Sequence, residues 1–360
     1  MILGTRGIPA QHGGFETFAE GFALDMVKRG WHVTVYCHTN EGEGIYETYW
    51  QGIRCLHVVV KQGGSLGTIL FDIKSVLHSI KEQGVVLTLG YNTAALSIFH
   101  RLAGQFNVMN MDGIEWKRAK WSLPHKLWLY CNEWLGTRLA NHLIADNPHI
   151  KQHLLRHTRA EKITVIPYCA EPIPHAPVEP LSQYGLSAGN YAIVIARAEP
   201  ENSILEIIRG YVAASLDMPL VVLGSYDVSR NAYHRKVIEA ASDKVLFLGA
   251  IYQQTIVQAL RYHARVYLHG HTVGGTNPSL VEAMAAGNPV IAHDNLFNQW
   301  VLGNGGMYFS DESTLRAAVE MCADMDIMRA KSAQIVARYK EAFQPDMIHD
   351  CYEQVLQRMA

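Results

Sequence analysis

Apolar positions along the chain change their period several times. Phe15, Phe18, Ala19, Phe22 and Met26 recur at helical spacing and stop before Gly30. This predicts an amphipathic helix over Phe15–Arg29 with a glycine behind its C-terminus. Trp31–Cys37 turns to alternation, the period of a half-buried strand. The same grammar then predicts helix Leu66–Gln83, strand Val85–Leu89, helix Thr93–Ala103, strand Asn107–Met111, aromatic helix Leu127–Leu139 and strand His142–Ala145. Met1–Gly4 reads as a very short opening strand. In the second half, strands are predicted at Tyr191–Ala196, Leu220–Leu223, Val245–Leu248, Val266–Leu268 and Val290–Ala292, with helices between them and a terminal helix at Pro345–Ala360. Strand alternating with helix predicts parallel sheets covered on both faces.

Between the halves, Pro167, Pro172, Pro174, Pro177 and Pro180 crowd one short stretch. Proline at this density resists helix and strand interiors, which marks an interdomain linker. The chain of 360 residues is long enough for two domains. The reading is α/β: two Rossmann-like, doubly wound parallel-sheet domains facing a cleft, at 1–170 and 171–345, with 346–360 as a terminal helix. Ligands of such sheets bind beyond the carboxyl ends of the strands.

Composition narrows this picture. Charged residues are 18% of the chain, too few and too interspersed with apolar ones for long disorder. Net charge is −2, and no nucleic-acid partner is expected. Residues 1–170 carry 17 Lys and Arg against 13 Asp and Glu, and residues 171–360 carry 14 against 20. The first half therefore suits an anionic partner. The six cysteines have no C-x-x-C spacing and read as buried free thiols of a reducing compartment. Met1-Ile2-Leu3-Gly4 lacks the n-region and h-region of a signal peptide, and no apolar run reaches membrane-spanning length. A cytoplasmic protein is expected, peripheral at the inner face of the membrane if it meets one.

Candidate chemistry concentrates in loops. His269–Glu282 joins a strand to a helix: Gly274 and Gly275 allow close backbone approach, Asn277 suits an N-cap and Pro278 the first helical position. The amides of Thr276, Asn277 and Ser279 then face an anion at the helix N-terminus. Glu282, further along the helix, suits ribose hydroxyls. Gly4–Glu16 repeats the design, with Gly13 and Gly14 opening the first helix. Neither loop is G-x-G-x-x-G or a P-loop, which disfavours a nicotinamide oxidoreductase. Arg197, just after a strand, suits bidentate phosphate binding. Asp112 at a strand end is placed to act as a general base or to hold an acceptor's hydroxyls, with Glu115 in reserve; a turn-forming Asp-Gly pair is the plain alternative.

Lys117, Arg118, Lys120, Trp121, His125, Lys126, Trp128 and Tyr130 interleave basic and aromatic side chains within 117–130. They suit a membrane interface or a solvated helix with a buried aromatic face. Asp324-Met-Asp326 imitates a metal-binding D-x-D but falls in a helical run. His269 and His271 lack an evident third ligand.

Pro278-Ser-Leu-Val-Glu-Ala-Met-Ala-Ala-Gly-Asn-Pro-Val-Ile-Ala292 resembles the donor-site signature of GT4-type retaining glycosyltransferases. Val245–Gly249 is similar to the turn near the base in that family. Thr5-Arg-Gly-Ile-Pro-Ala-Gln-His-Gly-Gly-Phe-Glu-Thr-Phe18, Asp112-Gly-Ile-Glu-Trp116, Ala145-Asp-Asn-Pro148 and Gly274–Ser279 resemble its rhamnosyltransferase-like subgroup. The resemblance implies a GT-B fold and a dTDP-6-deoxysugar donor such as dTDP-rhamnose. It implies a retaining hexosyl or deoxyhexosyl transfer, a polysaccharide or lipid-linked saccharide acceptor and no divalent metal. It places Gly13 and Gly14 at the pyrophosphate, Arg197 on the phosphates and Glu282 on the ribose, and sends the terminal helix back to the first domain. Gly274 stands where the family has its first Glu, Asn202 where it often has Lys, and Cys169 where the subgroup has Gly. A nucleotide-sugar epimerase and a non-catalytic nucleotide-sugar binder remain as alternatives on the same fold.

Overall fold

In the computed structural model the chain is described over residues 1–10 and 13–359. Gln11 and His12 of the first glycine loop, and Ala360 of the terminal helix, lie outside the described residues. The chain divides into two compact units: Met1–Lys117, Trp121–Pro167 and Asp346–Ala360 form one, and Arg118–Lys120 with Tyr168–Pro345 form the other.

The first unit contains β1 (Ile2–Leu3), α1 (Gly14–Lys28), β2 (Thr34–Thr39), β3 (Ile45–Trp50), β4 (Ile53–Val59), α2 (Gly64–Ser79), β5 (Val86–Leu89), α3 (Ser97–Leu102), β6 (Asn107–Asn110), α4 (Leu123–Leu139), β7 (His142–Ala145), α5 (Pro148–Leu154) and β8 (Ile163–Val165). Its sheet runs β3-β4-β2-β1-β5-β6-β7-β8, parallel except where β3 pairs antiparallel with β4. The β3–β4 hairpin was not expected from the sequence. Its two-residue turn is Gln51-Gly52, with φ of 47° and 84°. Both residues adopt the left-handed conformation that twist-matched hairpin turns require, but Gln in place of Asn or Asp hides the signal.

The second unit contains β9 (Ala192–Ile195), α6 (Ile204–Val212), β10 (Leu220–Leu223), α7 (Ala232–Glu239), β11 (Val245–Gly249), α8 (Gln254–Tyr262), β12 (Val266–His269), α9 (Pro278–Ala285), β13 (Val290–His293), α10 (Leu296–Leu302), β14 (Met307–Phe309), α11 (Glu312–Glu320) and α12 (Met325–Ala342). The all-parallel sheet runs β11-β10-β9-β12-β13-β14. Successive residues of its strands point into two cores. Ile193, Val221, Tyr267 and Val290 enter one, while Val194, Val222, Val266 and Ile291 enter the other. Burial on both faces explains why these strands read as continuous apolar runs.

The proline-rich stretch is not a free linker. Ile173, Ala176 and Leu181 join the second unit's core, and Ile173 N–H donates to the Ala285 carbonyl at 3.1 Å. The terminal helix α13 (Pro345–Gln357) packs within the first unit. There Tyr352 lies 4.8 Å from the Phe18 ring, and Glu353 accepts from Trp31 Nε1 and Arg29 Nη1, each at 2.8 Å. Asp324, half of the apparent metal motif, caps α12 by accepting from the Asp326 and Ile327 amides. The expectation of buried thiols holds for Cys37, Cys55 and Cys322; Cys169 and Cys351 are half-buried, and Cys131 is exposed on the outward side of α4.

Candidate active-site loops

In each sheet the connections leave in opposite directions from one pair of neighbouring strands. These pairs are β1 and β5 in the first unit, and β9 and β12 in the second. Loops at such switch points hold ligands in doubly wound folds. The candidate residues following β1, β9 and β12 therefore sit where the topology places a site.

In the second unit the β9 and β12 loops are locked together. Asn202 Nδ2 donates to the Arg197 carbonyl at 2.8 Å, and its Oδ1 accepts from His271 Nδ1 at 2.8 Å. Thr272 donates from both its amide and its hydroxyl to the Glu201 carbonyl, at 2.9 and 3.0 Å. Gly270 is needed for this approach, since a Cβ there would lie 2.0 Å from the Asn202 carbonyl oxygen. Asn295 and Asn298 amides grip the His271 carbonyl at 3.1 and 3.0 Å. Burial pushes His271 well below the ordinary histidine range, helped by His269, Arg118 and Arg197. Burial likewise pushes His269 down to about 3, so both rings stay neutral. Among the described residues His269 Nε2 is buried without a hydrogen-bond partner. Arg197 is exposed and forms no ion pair among the described residues.

Gly274 and Gly275 follow, with φ of 36° and 95°. Both values favour glycine over any side chain. Asn277 caps α9 as its sequence position predicts, accepting from Ser279 N–H at 3.0 Å, with Pro278 in the first turn. Ser279 is less available than expected. Its hydroxyl shares a 2.6 Å hydrogen bond with Tyr267 and donates to the Ile195 carbonyl at 3.3 Å. Thr276 is buried at 2% exposure. Glu282 is 38% exposed at its side chain and pairs with Arg261 Nη2 at 2.5 Å. Arg261, on α8, is only 4% exposed and was not singled out from the sequence. An arginine in the last turn of an amphipathic helix looks like an ordinary C-terminal charge, and nothing in the pattern shows that it turns inward.

The first unit's loop has different electrostatics. Gly4 at φ 80° allows the backbone to cross the Leu89 carbonyl, which a Cβ would approach to 2.1 Å. Arg6 N–H donates to Glu16 at 3.0 Å, and Ala10 N–H donates to Glu20. Gly13, at φ 108°, precedes Gly14 at the start of α1, and a Cβ on Gly13 would lie 2.1 Å from Glu16 Oε2. The loop thus presents carboxylates of its own helix beside the glycines assigned to an anion.

Asp112 has φ 49°, and its N–H donates to Asn110 Oδ1 at 2.8 Å. Asn110 Nδ2 in turn donates to the Tyr352 hydroxyl at 2.7 Å. Glu115 N–H donates to the Tyr91 hydroxyl at 2.8 Å. Burial raises the Tyr91 hydroxyl far above its ordinary range, and Glu133, Glu115 and Asp112 add to the shift. Glu133, 2% exposed at its side chain, accepts from Trp116 Nε1 at 3.0 Å and lies 2.8 Å from His153 Nε2. The segment behind Asp112 is therefore tied to α4 and α5. Arg118, grouped with the second unit, lies 3.8 Å from the buried Glu201 and is only 12% exposed.

Residues 1–171 match the family described as Domain of unknown function (DUF1972), and residues 195–324 match Glycosyl transferases group 1. Among curated proteins no sequence matches. Sucrose-phosphate synthase from Thermosynechococcus elongatus is similar, at 18% identity and a TM-score of 0.80 over 99% of this chain and 98% of that chain. The HepE protein of Anabaena, solved with UDP and glucose, has 17% identity and a TM-score of 0.78 over 99% and 98% of the two chains. The alpha,alpha-trehalose-phosphate synthase (UDP-forming) from Burkholderia vietnamiensis has 10% identity and a TM-score of 0.74, again over 99% and 98%. At these identities the likeness shows the fold. The fold is GT-B, and with the group 1 match over residues 195–324 it supports a GT-B glycosyltransferase.

Proposed function

We propose that the chain transfers a sugar, L-rhamnose from dTDP-rhamnose, to a hydroxyl of a polysaccharide or lipid-linked saccharide, with retention at the anomeric carbon. The observation that carries this reading is the β12–α9 loop. Two consecutive left-handed glycines lead into a capped helix, with Glu282 one turn further on, all within the stretch that matches group 1 transferases. The α9 N-terminus and the exposed Arg197 receive the diphosphate, whose charge grows as it leaves. Glu282 takes the donor ribose hydroxyls. In the first unit, Asp112 holds the acceptor hydroxyl. The acceptor oxygen bonds to the anomeric carbon, the bond from that carbon to the diphosphate oxygen breaks, and the acceptor proton passes to the departing phosphate. Peripheral membrane contact, first assigned to residues 117–130, belongs to this reading through the lipid-linked acceptor.

A second donor is favoured by one finding: the similar HepE structure holds UDP and glucose. Thermal-shift measurements with dTDP-rhamnose, UDP-glucose and GDP-mannose, followed by assays of diphosphate release with and without acceptor, separate the cases. Stabilisation by dTDP-rhamnose with acceptor-dependent dTDP release is expected. Stabilisation by UDP-glucose alone removes the rhamnosyl assignment. Binding without release under any condition sinks the transferase and leaves an epimerase or a binder.

A further inference from the structure

Helices α3 and α4 are amphipathic in the opposite sense to ordinary surface helices. The inward side of α4 carries Asn132, Glu133 and Thr137, and the inward side of α3 carries Ser97 and His100. These polar groups are satisfied. Asn132 accepts from the Ala95 amide at 3.0 Å, Ser97 accepts from Asn107 at 3.0 Å, and His100 shares a 2.9 Å hydrogen bond with Ser79. The outward side is apolar. Leu123 is 81% exposed, Leu127 63% and Trp134 40% on α4, and Leu102 is 78% exposed on α3. Leu123, Leu127 and Trp134 recur at helical spacing and form one stripe. Ile98 and Phe99 of α3 extend it.

Cations edge this stripe. The Arg138 guanidinium lies 4.7 Å from the Trp134 ring centroid, and Arg101 Nη1 donates to the Arg138 carbonyl at 3.5 Å. Lys126 lies on the same helix. The sole acid on α3 or α4 is Glu133, which is buried. An apolar strip of this size with tryptophan at its flank and arginine at its rim, facing water, matches the composition of a surface that enters the headgroup boundary of a bilayer.

We propose that the outward face of α3 and α4 docks on an anionic lipid surface. Leucines enter the acyl boundary, Trp134 and Trp128 rest among the headgroups, and Arg101 and Arg138 meet lipid phosphates. Charge favours lipid over a second copy of the chain. A two-fold contact through this face would bring one set of arginines toward the other, with no exposed acid on either helix to meet them. No helix among the described residues is long and apolar enough to cross a membrane, so the contact is peripheral. The proposal rests on the function above for its lipid-linked acceptor; it keeps the α4 part of the 117–130 block, from Leu123 on, and extends the contact along α4 to Trp134 and onto α3. Arg118 in that block is already drawn to Glu201.

The test is flotation of the full chain with vesicles of phosphatidylglycerol and phosphatidylethanolamine, against vesicles of phosphatidylcholine alone. Tryptophan emission is followed in parallel. Binding to the anionic vesicles is expected, with a blue shift, weakened by salt. Leu123→Glu with Leu127→Glu should lower the affinity at least tenfold while leaving the thermal midpoint and its shift with nucleotide unchanged. Arg101→Gln with Arg138→Gln should lower it about tenfold on anionic vesicles only. Failure to bind either vesicle overturns the proposal, as does equal binding by the Leu123→Glu, Leu127→Glu variant. A concentration-dependent dimer abolished by that variant overturns it in favour of a second copy. No donor or acceptor enters the flotation, so these outcomes are separate from failure of the transferase reading.

Discussion

After β1, the first unit's glycine turn is held by carboxylates of its own helix, with Glu16 on the Arg6 amide and Glu20 on the Ala10 amide. After β12, the second unit's turn is held by neutral amides, Asn277 on Ser279 and Asn202 on His271, and its one acid, Glu282, is drawn to a buried arginine. Both are strand–glycine–helix turns at a switch point, yet they prepare different electrostatics. In the proposed function the second turn gives its helix N-terminus to an incoming anion. The first already presents negative charge beside Gly13, which suits hydroxyl-rich ligands better than a second phosphate site. A glycine turn before a helix therefore reports where a ligand approaches. The side chains that satisfy the turn report what charge it accepts.

The largest expected effects come from the glycines that make both turns possible. Gly4→Ala would set a Cβ 2.1 Å from the Leu89 carbonyl oxygen, and Gly270→Ala would set one 2.0 Å from that of Asn202. Neither oxygen can rotate away, so each substitution should cost about 3 kcal/mol or more in denaturant unfolding. Gly13→Ala meets a mobile carboxylate instead and should cost mainly its backbone strain, about 1–3 kcal/mol. Equal losses at Gly4 and Gly13 would erase the distinction between a backbone crossing and a charge-lined turn.

Next is the Glu282–Arg261 pair. Glu282→Ala leaves a guanidinium at 4% exposure without its carboxylate. The expected loss is about 2 kcal/mol, reduced from the fully buried case because Glu282 is 38% exposed. Arg261→Met together with Glu282→Ala should recover most of that stability but not donor affinity, measured by nucleotide titration. Recovery of both would remove Glu282 from the donor site. Undiminished stability in Glu282→Ala alone would show that the pair carries no weight.

These cases also show why the sequence was readable in some places and silent in others. Asn277 acts through its side chain on the amide two residues on, Pro278 through its fixed φ, and Gly287, just past the helix at φ 76°, through its free backbone, so the cap and end of α9 follow from local chemistry. The alternating burial of β9, β10, β12 and β13 follows from apolar runs that any two-faced strand must have. Arg261, His271 with Asn202, and Tyr352 with Asn110 are pairings across 21, 69 and 242 positions. Spacing carries no record of contacts that distant. The apolar face of α4 was legible as composition, but its sense was not. Leu, Trp, Asn and Glu at helical spacing look alike whether the polar residues face in or out, and only the partners that Glu133 finds inside, Trp116 and His153, decide it.

Two buried groups, one in each unit, should also answer pH in opposite senses. His269 is neutral in the second unit, its pKa lowered to about 3 by burial. Between that value and about 6.5 the unfolded chain binds more protons than the native one, so this group makes stability rise with pH. Asp72 in the first unit is raised to about 6 by burial, opposed in part by the Thr93 hydroxyl. From the ordinary carboxylate value up to 6 the native chain binds more protons, so this group makes stability fall as pH rises. Between pH 4 and 6 the two oppose each other. Urea unfolding across that range should give a rising slope of up to about 1.4 kcal/mol per pH unit in Asp72→Asn and a falling one in His269→Asn, relative to the parent. Identical slopes in the parent and both variants would show that neither group is held in its unusual state.

The smallest effect expected is at Tyr352, and it bears on how the first unit sets Asp112. A non-glycine residue at φ 49° needs its surroundings to hold it. Here Asn110 Oδ1 accepts from the Asp112 amide, and the α13 Tyr352 hydroxyl accepts from Asn110 Nδ2. Tyr352→Phe keeps the ring against Phe18 and Phe22 and removes the hydroxyl that accepts from Asn110. The stability loss should be about 1 kcal/mol, the net worth of one hydrogen bond. The transfer rate should fall several-fold while donor affinity, which the proposed function assigns to the other unit, stays constant. Asn110→Asp would sharpen the point: its carboxylate still accepts from the Asp112 amide and can accept the Tyr352 hydroxyl proton where Asn110 donated, so a rate near the parent's is expected. A fall in donor affinity would mean that the terminal helix acts on stability at large. An unchanged rate in Tyr352→Phe would mean that Asp112 keeps its conformation without the helix, leaving α13 the packing role of its aromatic contacts alone.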